Sequence, residues 1–287
     1  MWLGRLAAVR EHVRHGLLLY DRDEHRQHAL IYGGHDPAVC GYGQGALALW
    51  LLGYPDQAAR SEREGVDLAE SLSHTPSVGH ALWWAAVVHY LRRDVAMALE
   101  LGERLIALGN EHSLQFYQAV GGIMHGWALA TRGRGEEGLP ELRRAVSAYG
   151  ATSRIMIGLF TMMLAEAELG AGSPVEAVRQ LDVAEHQMFT RGQPFWRAAV
   201  LHRKGEVLAA QDATAAEPLL QASRELARGQ QAKSLELRAS TSLARLWREK
   251  GNRTEARDLL APIYGWFTEG FDTPDLKEAK ALLESLS

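Results

Sequence analysis

Two histidine pairs, His12 with His15 and His25 with His28, are each separated by two residues. That spacing places both imidazoles on one face of a helix, where nitrogen ligands for a metal would sit. No cysteine pair or ordered carboxylate accompanies them, and Arg10, Arg14, Arg22 and Arg26 oppose a cation, so they read as solvated surface and no metal is expected. His202 and Glu206 stand one helical turn apart, the separation of an acid and base couple or of a ligand pair. The plainer reading is an exposed hydrogen-bonded pair, and an enzyme built on it is the weakest functional hypothesis. Gly41-Tyr42-Gly43-Gln44-Gly45 has the composition of a phosphate-cradling loop, but no strand precedes it and its spacing fits neither common nucleotide motif. A close helix contact explains these glycines better. Cys40 is the only cysteine, lacks a sequence cue for a paired base and excludes an internal disulfide. No nucleophile elbow occurs, so no catalytic residue and no cofactor are assigned.

Charge and hydropathy narrow the partners. The 287 residues carry 31 Lys and Arg against 35 Asp and Glu, a formal net charge of -4, with no sustained basic block to neutralise phosphates. Nucleic acid is not expected. The longest apolar stretches, such as Ala81 to Val88, fall short of the roughly 20 residues of a membrane span. The opening Met1 to Val13 lacks the apolar centre of a secretory signal, which makes cytoplasm the default location.

The elements that would position these residues show as a repeat. Small residues recur at Ala58, Ala98, Gly138, Ala177, Ala216 and Ala256, in steps of 40, 40, 39, 39 and 40. A second small column lies about twelve residues earlier, at Ala46, Ala86, Gly126, Ala165, Gly205 and Ala244. A looser third lies seven later, at Gly65, Leu105, Ala145, Ala184, Ser223 and Ile263. Breakers separate the first two columns, as in Gly53-Tyr54-Pro55, Arg132 to Gly135, Gly170 to Pro174 and Lys250 to Asn252, so each unit reads helix, tight turn, helix. Apolar residues near them, such as Leu47, Trp50, Leu51 and Tyr54, follow a period near 3.6, the mark of a helix with one buried stripe.

Offsets of twelve and seven between small positions resemble those of the tetratricopeptide repeat (TPR), and the resemblance is carried by all three columns. It implies an all-α fold, a TPR-like α-solenoid: a right-handed superhelix of antiparallel helix pairs with a period of about 40 residues. Leu105 and Ile263 depart from the small slots, and the period exceeds the usual ~34. The surplus is expected between repeats, in Ser73 to Ser77, Asn110 to Ser113 and Thr190 to Pro194, as longer loops and extra helical turns. The whole chain, 1–287, then divides into a partial leading repeat with a connector (1–34), helix pairs at 35–72, 73–112, 113–151, 152–190, 191–229 and 230–265, and a capping segment at 266–287. Trp2 to Gly16 reads as a second helix lacking its first, with an incompletely buried apolar face. Thr273-Pro274-Asp275 reads as an N-cap, a first-turn proline and a first-turn acid opening the last helix.

In such arrays the first helix of each pair lines the concave face. The resemblance therefore implies a groove lined by Trp50, by His80, Trp83 and Tyr90, by Ile123 and Trp127, by Met162 and Glu166, by His202 and Glu206, and by Arg238, Arg245 and Arg248. Trp83, Tyr90 and Trp127 would anchor a ligand, and Arg238 with Arg245 would hold an anionic group. The other reading packs the aromatics between helices and pairs the charges, Glu206 with Arg245 for instance. The sequence leaves both open.

Four stretches resemble the C-terminal repeat region of large bacterial signalling proteins that carry a class III adenylate or guanylate cyclase domain, or a DNA-binding domain, ahead of an ATPase module. They are Tyr32 to Pro37, Ala48 to Ala58, Gln231 to Arg238 and Ala256 to Leu283 around Tyr264-Gly265-Trp266-Phe267-Thr268-Glu269-Gly270-Phe271. The resemblance implies a regulatory tail that senses or docks something and passes the result to upstream cyclase or ATPase domains. No Gly-rich Lys-Ser/Thr phosphate loop occurs and no paired cyclase aspartates can be assigned, so neither activity transfers. The leading hypothesis is a non-catalytic scaffold binding a peptide or protein segment in its concave groove. Its rival is a module sensing a small-molecule effector.

Overall fold

The computed structural model describes residues 3–25, 27–31, 34–190 and 194–286. Trp2, Arg26, Tyr32, Gly33 and positions 191–193 of the Thr190 to Pro194 stretch, all used in the sequence reading, lie outside them. The described residues form helices and no strand. Helix α1 (Leu6–Leu19) and two single turns, α2 (Arg22–His25) and α3 (His28–Ile31), precede six helix pairs. The pairs are α4 (Pro37–Leu52) with α5 (Pro55–Leu72), α6 (Thr75–Leu91) with α7 (Val95–Glu111), and α8 (Gln115–Thr131) with α9 (Gly135–Thr152). They continue with α10 (Ile157–Gly170) and α11 (Pro174–Thr190), α12 (Arg197–Ala209) and α13 (Ala213–Gly229), and α14 (Lys233–Glu249) and α15 (Arg253–Tyr264). The last helix, α16 (Pro274–Ser285), packs on α14 and α15.

Local chemistry sets the helix ends. Asp36 accepts from the Ala38 and Val39 amides at 2.9 and 3.2 Å, and Pro37 occupies the first helical position, so α4 starts there. The breakers become turns in which Gly53, Gly133, Gly172 and Gly251 take positive φ of 91°, 82°, 77° and 88°. Small residues lie where paired helices touch: Ala58, Ala98, Ala177, Ala216 and Ala256 are fully buried. Contact is tightest between α8 and α9, where a Cβ on Gly138 would lie 2.4 Å from the Gly126 carbonyl oxygen. Gly43, from the glycine-rich stretch, lies inside α4, and a Cβ there would stand 2.6 Å from the Trp84 ring. Those glycines make a close helix contact.

Two expectations need correction. Only Ser73 and His74 separate α5 from α6, and only 112–114 separate α7 from α8, so these two surplus segments are not long loops. The extra residues lengthen the helices, which run 17 or 18 residues from α5 to α9, because an added turn buries more of the apolar stripe. Thr273 does not cap α16 with its side chain; its Oγ1 donates to the Gly270 carbonyl at 2.7 Å and stabilises the turn before the helix. Helix α1 packs on α4, with Val13 and Leu17 against Gly45 and Gly41, and buries Leu6 and Val9, while Leu18 and Leu19 at its end are exposed.

The solenoid returns on itself. Inner helix α14 packs on inner helix α4, where the Ser234 hydroxyl donates to the Trp50 carbonyl at 2.5 Å and the Arg238 guanidinium lies 4.9 Å from the Trp50 ring centre. Arg238 also donates to the Leu91 carbonyl. The 265–270 turn closes the same seam: Trp266 lies 5.6 Å from Tyr54, and Glu269 bonds the start of α5.

Candidate functional site

The first helices of the pairs do converge, and what they converge on is each other. Trp127, Glu166, Glu206 and Arg245 hold one slot on consecutive inner helices, at intervals of 39 and 40 residues. Glu166 accepts from the Tyr90 hydroxyl at 2.9 Å, from the Trp127 indole at 3.2 Å and from Arg203 at 2.7 Å. Arg203 also binds Glu206 at 2.7 Å. Trp50, Trp83, Tyr90 and Trp127 are all buried, between 2% and 5% exposed, so the inner face is not an open trough lined by free aromatic rings. The expected partnership of Glu206 with Arg245 is replaced by Arg203, one turn from Glu206 on α12, whose side chain bridges both glutamates.

His202 and Glu206 are corrected as well: the pair sits inside this centre instead of on an exposed face. Burial pushes the His202 imidazole down to about 4, so it is neutral near pH 7. Burial also opposes ionisation of Glu206, but neighbouring charge and hydrogen bonds outweigh it and hold the carboxyl down to about 2. That charge comes from His202, protonated in the range where Glu206 titrates, and from Arg203. His202 Nε2 meets Ser242 Oγ at 2.9 Å and Glu206 at 3.5 Å. A catalytic triad needs its hydroxyl and its carboxylate on opposite ring nitrogens, whereas both approach the same one here. A carboxylate bound by arginine also makes a poor base at neutral pH. This geometry does not support the acid and base reading.

Beside the network lies a polar cavity of about 230 Å³ lined by Arg93, Arg203, Arg238 and Arg245 together with His202, Ser242, Asp275 and Glu278. Arg238 pairs with Asp275 at 2.8 Å and Arg93 with Glu278 at 2.7 Å. Arg245 makes no ion pair among the described residues.

A second cavity, about 710 Å³, opens where the N-terminal ends of α4, α6, α8 and α10 meet. Its walls include Trp83, Trp84, Phe116, Tyr117 and Ile155, and its polar groups include His35, Cys40, Gln44, His80 and Gln115. Trp83 stacks on Trp84 at 4.8 Å and meets Phe116 edge-on at 5.1 Å, which holds the wall rigid. Trp83 Nε1 is a buried donor with no partner among the described residues. His80 accepts from the Trp84 indole at 2.9 Å and stacks on His35 at 3.6 Å. Burial, with a smaller contribution from His35, holds its imidazole down to about 3. Of the groove residues read from the sequence, His80 and Trp83 line this cavity, while His202, Glu206, Arg238 and Arg245 line the polar one. Phe116, Tyr117, His35 and Cys40 were missed as site residues. The signal for Cys40 is the period itself, which puts it one repeat of 40 residues before His80.

The fold is that of a TPR-like helical-repeat protein. No family model matches the chain. The uncharacterized protein R02095 of Rhizobium meliloti (strain 1021) is 30% identical over 257 residues, covering 85% of this chain and 24% of that protein, so the chain spans about a quarter of that relative's length. The architecture is similar to the crystal structure of the apo form of RapI, with a TM-score of 0.58 and 8% identity over 86% of this chain and 84% of that one. That likeness is one of fold alone. No helix among the described residues is long and apolar enough to cross a membrane.

Proposed function

We propose that the chain is a non-catalytic regulatory scaffold that docks a segment of a partner protein by seating one of its apolar side chains in the aromatic cavity. The observation that carries this reading is the unpaired Trp83 indole N–H in an apolar, concave wall. A buried donor left unpaired costs free energy that a carbonyl of a bound segment would offset once docking turns the indole N–H toward the cavity, and the volume matches that of common ligand sites. The division into six repeats, a leading partial repeat and a capping segment belongs to this reading, as does a role as the sensing or docking tail of a larger signalling protein with cyclase or ATPase domains. The relative's greater length supports that context. Peptides selected on the parent protein from a displayed library should share an aromatic or long aliphatic residue. They should lose binding to Gln115→Arg, an exposed position on the cavity wall. Retained binding would move the site elsewhere.

A second reading is favoured by Arg245: a small anionic effector held in the polar cavity, where this arginine stands without an ion-pair partner among the described residues. Loss of effector binding in Arg245→Ala, with Gln115→Arg unaffected, would select it.

A further inference from the structure

We propose that His35, Cys40 and His80 form a site of two nitrogens and one sulfur for a zinc-type cation, built into the wall of the aromatic cavity. One donor atom from each of the three lies within 4.8 Å of the others. His35 stands just before the Asp36 cap of α4, Cys40 lies at the end of the first turn of α4, and His80 lies on α6. Two ligands therefore come from neighbouring inner helices whose contact is fixed by Gly43 against Trp84. Imidazole and thiolate select zinc, cobalt or copper(I) over magnesium and calcium, which take oxygen ligands. Three protein ligands leave a fourth tetrahedral position on the cavity side.

Coordination changes the local arrangement in defined ways. The His35 and His80 rings lie face to face, 10° from parallel, and lone pairs of parallel rings do not converge, so the rings must splay. The Trp84 indole donates to His80 Nε2. An ion at Nε2 takes that electron pair, and an ion at Nδ1 requires a proton on Nε2, which repels the indole N–H. Either way the indole gives up this bond. The Cys40 thiol proton leaves to solvent as the sulfur–metal bond forms. The three-ligand site is independent of what the cavity docks. Only the assignment of the fourth position, to a donor of the docked segment or to water, rests on the function proposed above.

The test uses the full chain and cobalt(II) alone, with no peptide, in metal-free reducing buffer. Equimolar binding is expected, with a thiolate-to-cobalt charge-transfer band, the visible bands of a four-coordinate ion, and loss of both on adding zinc. Cys40→Ser should abolish the charge-transfer band and weaken binding by more than the roughly 10- to 100-fold of an outer-shell change. His35→Ala, at a half-buried position, should weaken it similarly, with circular dichroism confirming that both variants fold. His25→Ala with His28→Ala should bind as the parent does. Absence of the band in the parent would overturn the proposal, as would a band that survives Cys40→Ser or binding lost only in the His25 and His28 variant.

Discussion

Glu269 caps helix α5 from 213 residues away: one carboxylate oxygen accepts from the Asp56 amide at 2.9 Å and from the Gln57 amide at 3.0 Å. These are orphan donors of the first turn of α5, and a carboxylate there also meets the positive end of the helix dipole. The contact joins the turn between α15 and α16 to the start of α5. Glu269→Ala should lower stability by about 1–2 kcal/mol, with Glu269→Gln costing less. Hydrogen exchange should quicken at the start of α5 and along the seam with α14, while α8 and α9 keep their protection. Unchanged exchange at α5 would mean that the solenoid does not close through this residue.

Two glycine substitutions should act in opposite directions. Gly138→Ala should cost about 1–3 kcal/mol despite the better helix propensity of alanine, because its methyl group collides with the α8 backbone. Gly16→Ala, in α1 with nothing within 4 Å of the added carbon, should stabilise by up to about 1 kcal/mol. Urea unfolding measures both. A stabilising Gly138→Ala would show that α8 and α9 are further apart than described.

Acid should weaken the fold in two windows. Burial holds His202 at about 4 against an ordinary 6.5, so the unfolded chain takes up the proton first. Stability therefore falls as the pH drops from 6.5 towards 4 and levels off below that, a loss of roughly 3 kcal/mol. Glu206 is held at about 2 against 4.5, so its contribution is present above pH 4.5 and is lost as the pH falls towards 2. His80, also buried and neutral, adds to the upper window and extends it to about 3. His202→Gln should shrink the stability difference between about pH 7 and about pH 5 and soften the lower decline as well, because the His202 charge is the largest influence lowering Glu206. An undiminished difference would place His202 in solvent.

The repeat was legible because it is local: two small residues about twelve apart, recurring every 39 or 40 positions with a breaker between them, and a 3.6 period around them specify helix pairs without knowledge of the third dimension. The closure was not legible, because Ser234 on Trp50 spans 184 residues and depends on how far each pair rotates from the one before it. That rotation decides whether Trp50 and Tyr90 line a groove or pack inside. The partner expected for Glu206 was misread, because Arg203 lies off the groove positions yet reaches Glu166 and Glu206 with a long side chain. The Ala48 to Ala58 and Tyr264 to Phe271 stretches, singled out separately in the sequence, are the two sides of the closing seam.

Trp83→Phe removes the unpaired indole N–H and keeps most of the aromatic wall. Because the lost donor has no partner among the described residues, the folded state should keep its melting temperature or gain slightly. A core role alone would instead lower stability through the lost ring volume.

The central claim is that a partner segment docks in the aromatic cavity, and equilibrium binding of one selected peptide to the parent, Trp83→Phe, Gln115→Arg and Arg245→Ala tests it most directly. The account predicts binding weakened about fivefold by Trp83→Phe, the loss of one hydrogen bond of about 1 kcal/mol, abolished by Gln115→Arg and unchanged by Arg245→Ala. Full affinity in both Trp83→Phe and Gln115→Arg would contradict it.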